Sequence, residues 1–317
     1  MKFSVIVVTY NPKIEKVLFT LKSILKQDFD DYEIVVSDDG SEDNCFSQIE
    51  DYFRENHFEN YVLIPHEKNQ GTVKNLISAL EHARGTYVRD FGPGDAFYNE
   101  TSLSRIYDFF EERQCQQCFG LMRGYRRDED GIIHYESFCH PFDIQAYRRD
   151  NSQRRILKNL VLYSDNVSGA CMCYKREFYL EYLKKIESYV IYEEDIFQVL
   201  AGMEGHKMEM IDAYTVLYEV EAGVSAGGNS RFAKLLAEDV DRFYQELYRN
   251  YKTHPFVKKR QQVRIFNVFQ NIYIRTLFRL FLNPDAIRYL CISAYCRLFK
   301  KHEPRIKESS FMDRNEF

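Results

Sequence analysis

Four short polar clusters hold most of the side chains that could do chemistry. Thr9-Tyr10-Asn11 and Asp38-Asp39-Gly40-Ser41 bring together hydroxyls, an amide, an aromatic ring and two carboxylates. A buried carboxylate can accept the imide N–H of a uracil, an aromatic can pack on the base, and hydroxyl and amide groups can hold a ribose. Asp38 to Ser41 also suit a plain helix cap and turn. Asn69-Gln70-Gly71, followed by Lys74 and Asn75 at a helix start, offers N–H groups and an ammonium to a diphosphate, or forms an ordinary cap. Tyr87-Val88-Arg89-Asp90-Phe91-Gly92-Pro93-Gly94-Asp95 brings a carboxylate to the end of a central strand, placed to hold a divalent cation against phosphates, or is a Pro-Gly turn with a solvated acid. Tyr192-Glu193-Glu194-Asp195-Ile196-Phe197 opens an amphipathic helix with three acids. They complement its dipole, or one is a general base facing an acceptor hydroxyl.

The segments between these clusters determine where they sit. Phe3 to Val8 is a short β-branched run that reads as a buried strand, and Glu33 to Ser37 reads as a second. Tyr61 to Ile64 gives a third strand, and Tyr87-Val88 opens a fourth. Helical spacing covers Glu15 to Lys26, Cys45 to Asn56 and Thr72 to Arg84. Strands alternating with helices indicate βαβ units and a parallel sheet. Ligands of such sheets lie beyond the carboxyl ends of the strands, so the clusters after strands one, two and four converge on one crevice. Further on, a helix is expected over Leu103 to Gln114 and strands near Phe119 to Tyr125 and Gly169 to Tyr174. A helix from Asp195 to Glu204 follows, and nearly everything from Arg231 to Lys301 reads helical, broken at Pro255 and Asn283-Pro284.

In order and spacing these clusters resemble the family 2 glycosyltransferases with the GT-A fold, from residue 1 to about residue 225. The resemblance implies an α/β, Rossmann-like domain with a mostly parallel central sheet flanked by helices, and a helical C-terminal lobe. It implies a nucleotide-binding half over 1–100, an acceptor and catalytic half over 101–228, and a basic helical region over 229–317. Thr9, Tyr10, Asn11, Asp38 and Asp39 fall at the base and ribose, with Asp39 on the uracil. Asn69, Gly71, Lys74, Asn75 and Gly94 fall on the nucleotide side. The family's Leu-Asp-x-Asp-Asp loop corresponds to Phe91 through Asp95, where only the last acid remains, so Asp95 is the implied ligand of Mn²⁺ or Mg²⁺. Asp195 is the implied base with Glu194 beside it, and Ser168, Gly169 and Ala170 face the acceptor. The implied reaction is inverting transfer from a nucleotide sugar, a UDP-sugar by choice, to a glycan or lipid-linked acceptor. A non-catalytic nucleotide-sugar or glycan-binding protein with a degenerate metal loop is the alternative, and a nucleotidyltransferase on a similar sheet is a second enzyme reading.

Composition sets the outer bounds. The 317 residues, 45% hydrophobic and 29% charged, belong to a folded protein large enough for a sizeable core. A formal charge of -5 argues against a nucleic-acid footprint. No Gly-x-Gly-x-x-Gly follows strand one, which disfavours hydride transfer. Eight cysteines without a secretory signal read as reduced thiols. Cys115, Cys118, Cys139, Cys171 and Cys173 lack the spacing of a repeated zinc knuckle. Charge is uneven along the chain: between Phe256 and His302 ten Lys and Arg stand against one acid, Asp285, a net +9. Aromatics are interleaved with these cations, among them Phe266, Phe269, Tyr273, Phe278, Phe281 and Tyr295, and Lys300 and Lys301 close the run. That pattern suits either an anionic membrane surface or a lobe packed on the catalytic domain with a solvated basic face. The expectation is a cytoplasmic protein held peripherally on the inner membrane face through 256–302.

Overall fold

A run of β-branched residues suits a central strand covered on both faces. In the computed structural model, β1 (Phe3–Thr9) is buried throughout except for half-buried Val8. The structure describes residues 1–128, 133–136, 140–149, 151–220, 230–264, 271–299, 302–314 and 316. After β1 come α1 (Ile14–Leu25), β2 (Tyr32–Asp38), α2 (Phe46–Glu55), β3 (Tyr61–Pro65), α3 (Thr72–His82) and β4 (Tyr87–Phe91) in strict alternation. The second half holds β5 (Ala96–Phe97), α4 (Ser102–Arg113), β6 (Gln117–Arg127), β7 (Ile133–Glu136), α5 (Gln145–Arg148) and α6 (Gln153–Tyr163). These are followed by β8 (Met172–Lys175), α7 (Arg176–Ile186), α8 (Phe197–Met203) and β9 (Glu209–Glu219). Four helices then close the order: α9 (Ser230–Asn250), α10 (Pro255–Arg264), α11 (Ile272–Leu282) and α12 (Ala286–Phe299).

The strands join in one sheet in the order β3-β2-β1-β4-β8-β6-β9-β5, with β7 on β6. From β1 the chain moves outward to β2 and β3, then crosses to β4 on the other flank. The junction of β1 and β4 is therefore a topological switch point, where such sheets open a ligand crevice. The sheet has the expected parallel strands in its first half and is mixed beyond them. β1, β2, β3 and β4 are mutually parallel, as is β9 on β6, whereas β8 runs antiparallel to β4 and β6, β7 to β6, and β5 to β9.

The strand expected over Gly169 to Tyr174 begins with a 3-10 turn over Gly169–Cys171, and only Met172–Lys175 is extended. β8 thus reaches only Tyr87 and Val88 of β4, and the flank of β4 beyond Val88 stays open beside the crevice. Buried Arg89 fills that flank, donating to the Ala170 carbonyl with its guanidinium 4.2 Å from the centre of the Phe91 ring. β9 was not expected, because Glu209, Asp212 and Glu219 interrupt its apolar run. α6 and α7 were likewise not foreseen.

Pro255 opens α10, and Asn283-Pro284 separates α11 from α12, as the sequence predicts. Proline suits the first helical turn, where its missing N–H has no partner to lose. The inner side of these helices docks on α6: Arg260 donates to the Val161 carbonyl at 2.7 Å, Asn283 to the Tyr163 hydroxyl at 3.1 Å, and Tyr163 stacks on Tyr289. The boundary expected at 228–229, with Cys139, Phe266, Phe269, Lys300 and Lys301, lies outside the described residues.

Candidate functional site

The parallel register sets Thr9 of β1 directly beside Asp38 of β2, at the carboxyl ends of both strands. Asp38 is fully engaged there. Oδ2 accepts from the Thr9 hydroxyl at 2.8 Å and the Ser41 hydroxyl at 2.6 Å, and Oδ1 accepts from Ser41 N–H at 2.8 Å. It ties the turn together and does not line the crevice; the helix that follows starts only at Phe46, so Asp38 to Ser41 form a turn and not its cap. Asp39 points the other way. Its two oxygens accept the N–H groups of Gln70 at 2.7 Å and Gly71 at 2.9 Å, so it fixes the 69–71 segment against the end of β2 while lining the crevice. Burial pushes its carboxyl pKa up, and the two N–H donors hold it down in part. Tyr10 stands at the mouth with 48% of its surface exposed, a free aromatic face.

The crevice encloses about 490 Å³ and runs from Thr9, Tyr10, Asn11 and Asp39 past Asn75 and Asp95 to Ser168, Gly169, Ala170, Glu194 and Asp195. The structure therefore brings most of the sequence-predicted residues to one place. Asn69, Gly71, Lys74 and Gly94 join Asp38 outside its lining. Lys74 is exposed on α3, and Asn75 is buried with its amide bridging Ser37: Oδ1 accepts the Ser37 hydroxyl at 2.6 Å and Nδ2 donates to the Ser37 carbonyl at 3.1 Å.

On the far wall Glu194 and Asp195 lie in a 3-10 turn, Glu194–Ile196, that leads into α8. Asp195 Oδ2 accepts Gly169 N–H at 2.6 Å, and Oδ1 is buried with no hydrogen-bond partner among the described residues. A β-carbon on Gly169 would lie 2.5 Å from Asp195 Oδ1, so only glycine lets the 168–170 turn come this close. Burial pushes the carboxyls of Asp195 and Glu194 well above the ordinary range; after burial, the charge of Glu193 adds to the first and that of Asp195 to the second.

Several lining residues were given no role of their own by the sequence reading. Asp90 closes the floor from β4, its pKa pushed up to about 6 by burial against the opposing charge of Arg89. An Arg-Asp pair inside a strand whose other residues are Tyr87, Val88 and Phe91 was the available signal. Lys16, Glu193 and Glu219 also line the crevice. Asp239 of α9 shapes it from behind: fully buried, its Oδ2 accepts the N–H groups of Ile191 at 3.0 Å, Tyr192 at 2.6 Å and Glu193 at 3.1 Å. Nothing in the local sequence marks Asp239.

Asp95 sits half-buried on the floor, its Oδ1 accepting Glu219 N–H at 3.0 Å and its pKa pushed up to about 7, chiefly by burial. Among the described residues no three His, Cys, Asp or Glu side chains gather to hold a metal ion. The donor set still fits a cation bound as Mg²⁺ is beside nucleotides, by one or two carboxylates with phosphates and water completing the shell. Asp95 keeps one carboxylate oxygen clear of the Glu219 amide, and Gly94 leaves side-chain space beside it into which the Glu219 carboxylate projects.

Parallel strands ending in a nucleotide-sized crevice, with carboxylates on its floor and far wall, define a protein of the GT-A glycosyltransferase fold. The chain belongs to glycosyl transferase family 2, whose model matches residues 4–183. It is 32% identical over 126 residues to the poly(ribitol-phosphate) beta-N-acetylglucosaminyltransferase TarS of Staphylococcus aureus, covering 39% of this chain and 21% of that protein. It is 39% identical over 89 residues to the GalNAc(5)-diNAcBac-PP-undecaprenol beta-1,3-glucosyltransferase of Campylobacter jejuni, covering 27% of this chain and 28% of that protein. Each match thus spans less than a third of the relative's length. Among solved structures, S. aureus TarS 1–349 in complex with UDP-GlcNAc shares the fold over 96% of this chain and 93% of that one, with a TM-score of 0.52 and 20% identity.

Proposed function

We propose that the protein transfers a sugar from a nucleotide-sugar donor, a UDP-sugar, to a glycan or lipid-linked acceptor with inversion at the anomeric carbon. The observation that carries this reading is the crevice itself. Tyr10 and Asp39 line it together with Asp195, whose Oδ1 is buried with no hydrogen-bond partner among the described residues. In this reading residues 1–100 hold the donor, 101–228 present the acceptor wall, and 229–317 brace both. The donor's base packs on Tyr10 beside Asp39, and its ribose lies against Thr9 and Asn11. Asn69, Gly71, Lys74, Asn75 and Gly94 shape the diphosphate side from behind the lining. The acceptor hydroxyl enters along Ser168, Gly169 and Ala170. Asp195 takes its proton as the oxygen attacks opposite the leaving nucleoside diphosphate, and Gly169 N–H holds the carboxylate in line. Glu193 and Asp90, half-buried nearby, keep the charge of Asp195 high in energy until that proton arrives. A divalent cation on Asp95, Mn²⁺ or Mg²⁺, would stabilise the charge that builds on the leaving phosphates.

Calorimetry with UDP tests the donor end. A hydrogen bond to a charged carboxylate contributes about 1.5–3 kcal/mol, so Asp39→Ala should lower UDP affinity at least tenfold. Asp39 also anchors the 69–71 segment, so Asp39→Asn, which can keep one N–H contact, should lose less. Full UDP affinity in a folded Asp39→Ala protein removes the base-site assignment.

We further place the protein on an anionic membrane at the cytoplasmic face. Tyr273, Leu277 and Phe281 recur at four-residue spacing on α11 and are each at least 70% exposed. On α12, Leu298 and Phe299 are 77% and 59% exposed, and Lys258, Arg288 and Arg297 are exposed alongside. Exposed apolar stripes of this extent mark interaction surfaces, and the net +9 of the segment selects an anionic partner. No described helix is long and apolar enough to cross a membrane, so the contact is by docking. Each cation near such a surface contributes on the order of 1 kcal/mol. Co-sedimentation should therefore require vesicles with anionic lipid and weaken at high salt without vanishing. The Leu277→Ser, Phe281→Ser double variant should bind less at every salt concentration. Equal binding to neutral vesicles, or a concentration-dependent dimer with no vesicle binding, assigns the stripe to another occupant.

A further inference from the structure

The Phe91–Asp95 loop carries one acid, and position 94 is a glycine with φ +102. The space its side chain would take is filled. A β-carbon built on Gly94 would lie 2.1 Å from Glu219 Oε2 and 3.1 Å from Glu219 Cδ. A carboxylate from the end of β9 therefore occupies the side-chain volume of position 94.

Its placement is fixed from three sides. Glu219 pairs with Tyr125 across β6 and β9, and the Tyr125 hydroxyl donates to the Gly94 carbonyl at 2.5 Å. Glu219 N–H donates to Asp95 Oδ1 at 3.0 Å, so the two acids are neighbours through the backbone. Gly94 N–H donates to the Lys16 carbonyl at 3.2 Å and to the Thr20 hydroxyl at 3.0 Å, which clamps the loop on α1.

A positive charge already rests on this carboxylate. Lys16 Nζ lies 2.7 Å from Glu219 Oε2, both side chains being largely buried at the crevice. The described lining holds seven acidic side chains against two lysines, Lys13 and Lys16. A diphosphate entering such a place meets net repulsion unless further positive charge comes with it.

We propose that Glu219 is the second protein carboxylate of the divalent-cation site on Asp95. It supplies from β9 the acid that position 94 lacks, and Lys16 is its counter-ion while the cation is away. The proposal rests on the donor reading given above. It explains how a loop stripped to one acid keeps two carboxylates at the diphosphate end, and why a half-buried lysine stands among so many acids.

The test is Mn²⁺ binding in the presence of saturating UDP, followed by loss of the free Mn²⁺ EPR signal, with UDP affinity in EDTA measured separately by calorimetry. Loss of a ligand or its support costs about 10- to 100-fold in metal affinity. Glu219→Gln should weaken Mn²⁺ binding by at least that lower bound and leave UDP affinity in EDTA within about threefold of wild type. Glu219→Asp, with the charge kept on a shorter stem, should fall between, and stands in if the Gln variant does not fold. Lys16→Met should tighten Mn²⁺ binding, because the competing ammonium is gone. Wild-type Mn²⁺ affinity in Glu219→Gln, or weaker binding of both Mn²⁺ and UDP in Lys16→Met, overturns the proposal; the latter assigns Lys16 to the diphosphate. Loss in Asp95→Asn without loss in Glu219→Gln removes only the proposal. No Mn²⁺ binding by wild type, or full binding by Asp95→Asn, removes the metal reading beneath it as well.

Discussion

Asp195→Asn is expected to lower sugar transfer by about 100- to 10,000-fold, the usual cost of losing a general base, while UDP affinity stays near wild type. The substitution preserves shape. An Asn Oδ1 can still accept Gly169 N–H, so the 168–170 turn is held and only the capacity to take a proton is lost. The two measurements then separate, because the Asp195 carboxylate is held by Gly169 N–H whereas Asp39 is held by Gln70 and Gly71 N–H.

Burial raises the Asp195 pKa well above its ordinary value, so the carboxyl is still protonated at pH values where an exposed aspartate is charged. A protonated base cannot accept a proton. The rate should therefore fall as pH drops through that raised pKa, with its acid limb displaced upward from the ordinary carboxylate range. A rate that is flat down to the pKa of an exposed aspartate would contradict this. Near-normal turnover in Asp195→Asn with loss in Glu194→Gln moves the base by one residue. UDP binding with no transfer by wild type, across a panel of nucleotide sugars with Mn²⁺, favours the non-catalytic alternative.

The second large effect is expected at a residue outside the crevice lining. Asp239→Ala leaves three N–H groups, those of Ile191, Tyr192 and Glu193, without their shared acceptor at a fully buried site. Leaving buried donors unsatisfied costs about 1–3 kcal/mol for each group, less when several share one acceptor, so a loss of roughly 2–4 kcal/mol is expected. Asp239 also pairs with Arg242, but that side chain is 39% exposed and can turn to water, so the ion pair adds little. The loop it holds leads straight into Glu194 and Asp195, and the Ile191 carbonyl also accepts Val73 N–H at the start of α3. Displacement of a catalytic group by about 1 Å can cost on the order of 100-fold in rate. Turnover should drop by that order even below the melting temperature of the variant. Asp239→Asn, keeping a neutral acceptor in place, should recover part of both losses. Unchanged urea midpoint and turnover in Asp239→Ala would show that the loop holds itself.

The part of the fold legible in the sequence is the part specified locally. β1 to β4 and the helices between them follow from apolar runs and helical spacing, and each observed boundary lies within a few residues of the expected one. The polar clusters after strands one, two and four converge as expected, because parallel strands in one sheet end on one edge. Within those clusters the sequence could not divide the work. Asp38 and Asp39 are adjacent acids of one type, yet alternation along the chain turns the first into the strand-end turn and the second toward the crevice.

β8 illustrates the limit in the second half. Gly169 to Tyr174 reads as one strand, but the close approach of Asp195 and Arg89 folds its first three residues into a turn. Lys16 and Glu219 stand 203 positions apart, and Asp239 reaches back nearly fifty to hold the Asp195 loop. Hydrophobic period and turn chemistry tell a residue which side is buried, since they depend on the nearest few neighbours. They carry no information about which distant element will face that side. The α/β alternation, the crevice edge and the residues offered to it are thus written in local sequence. Which carboxylates meet there is settled in three dimensions, because contacts between distant segments depend on how the sheet twists and on which strand enters beside β4.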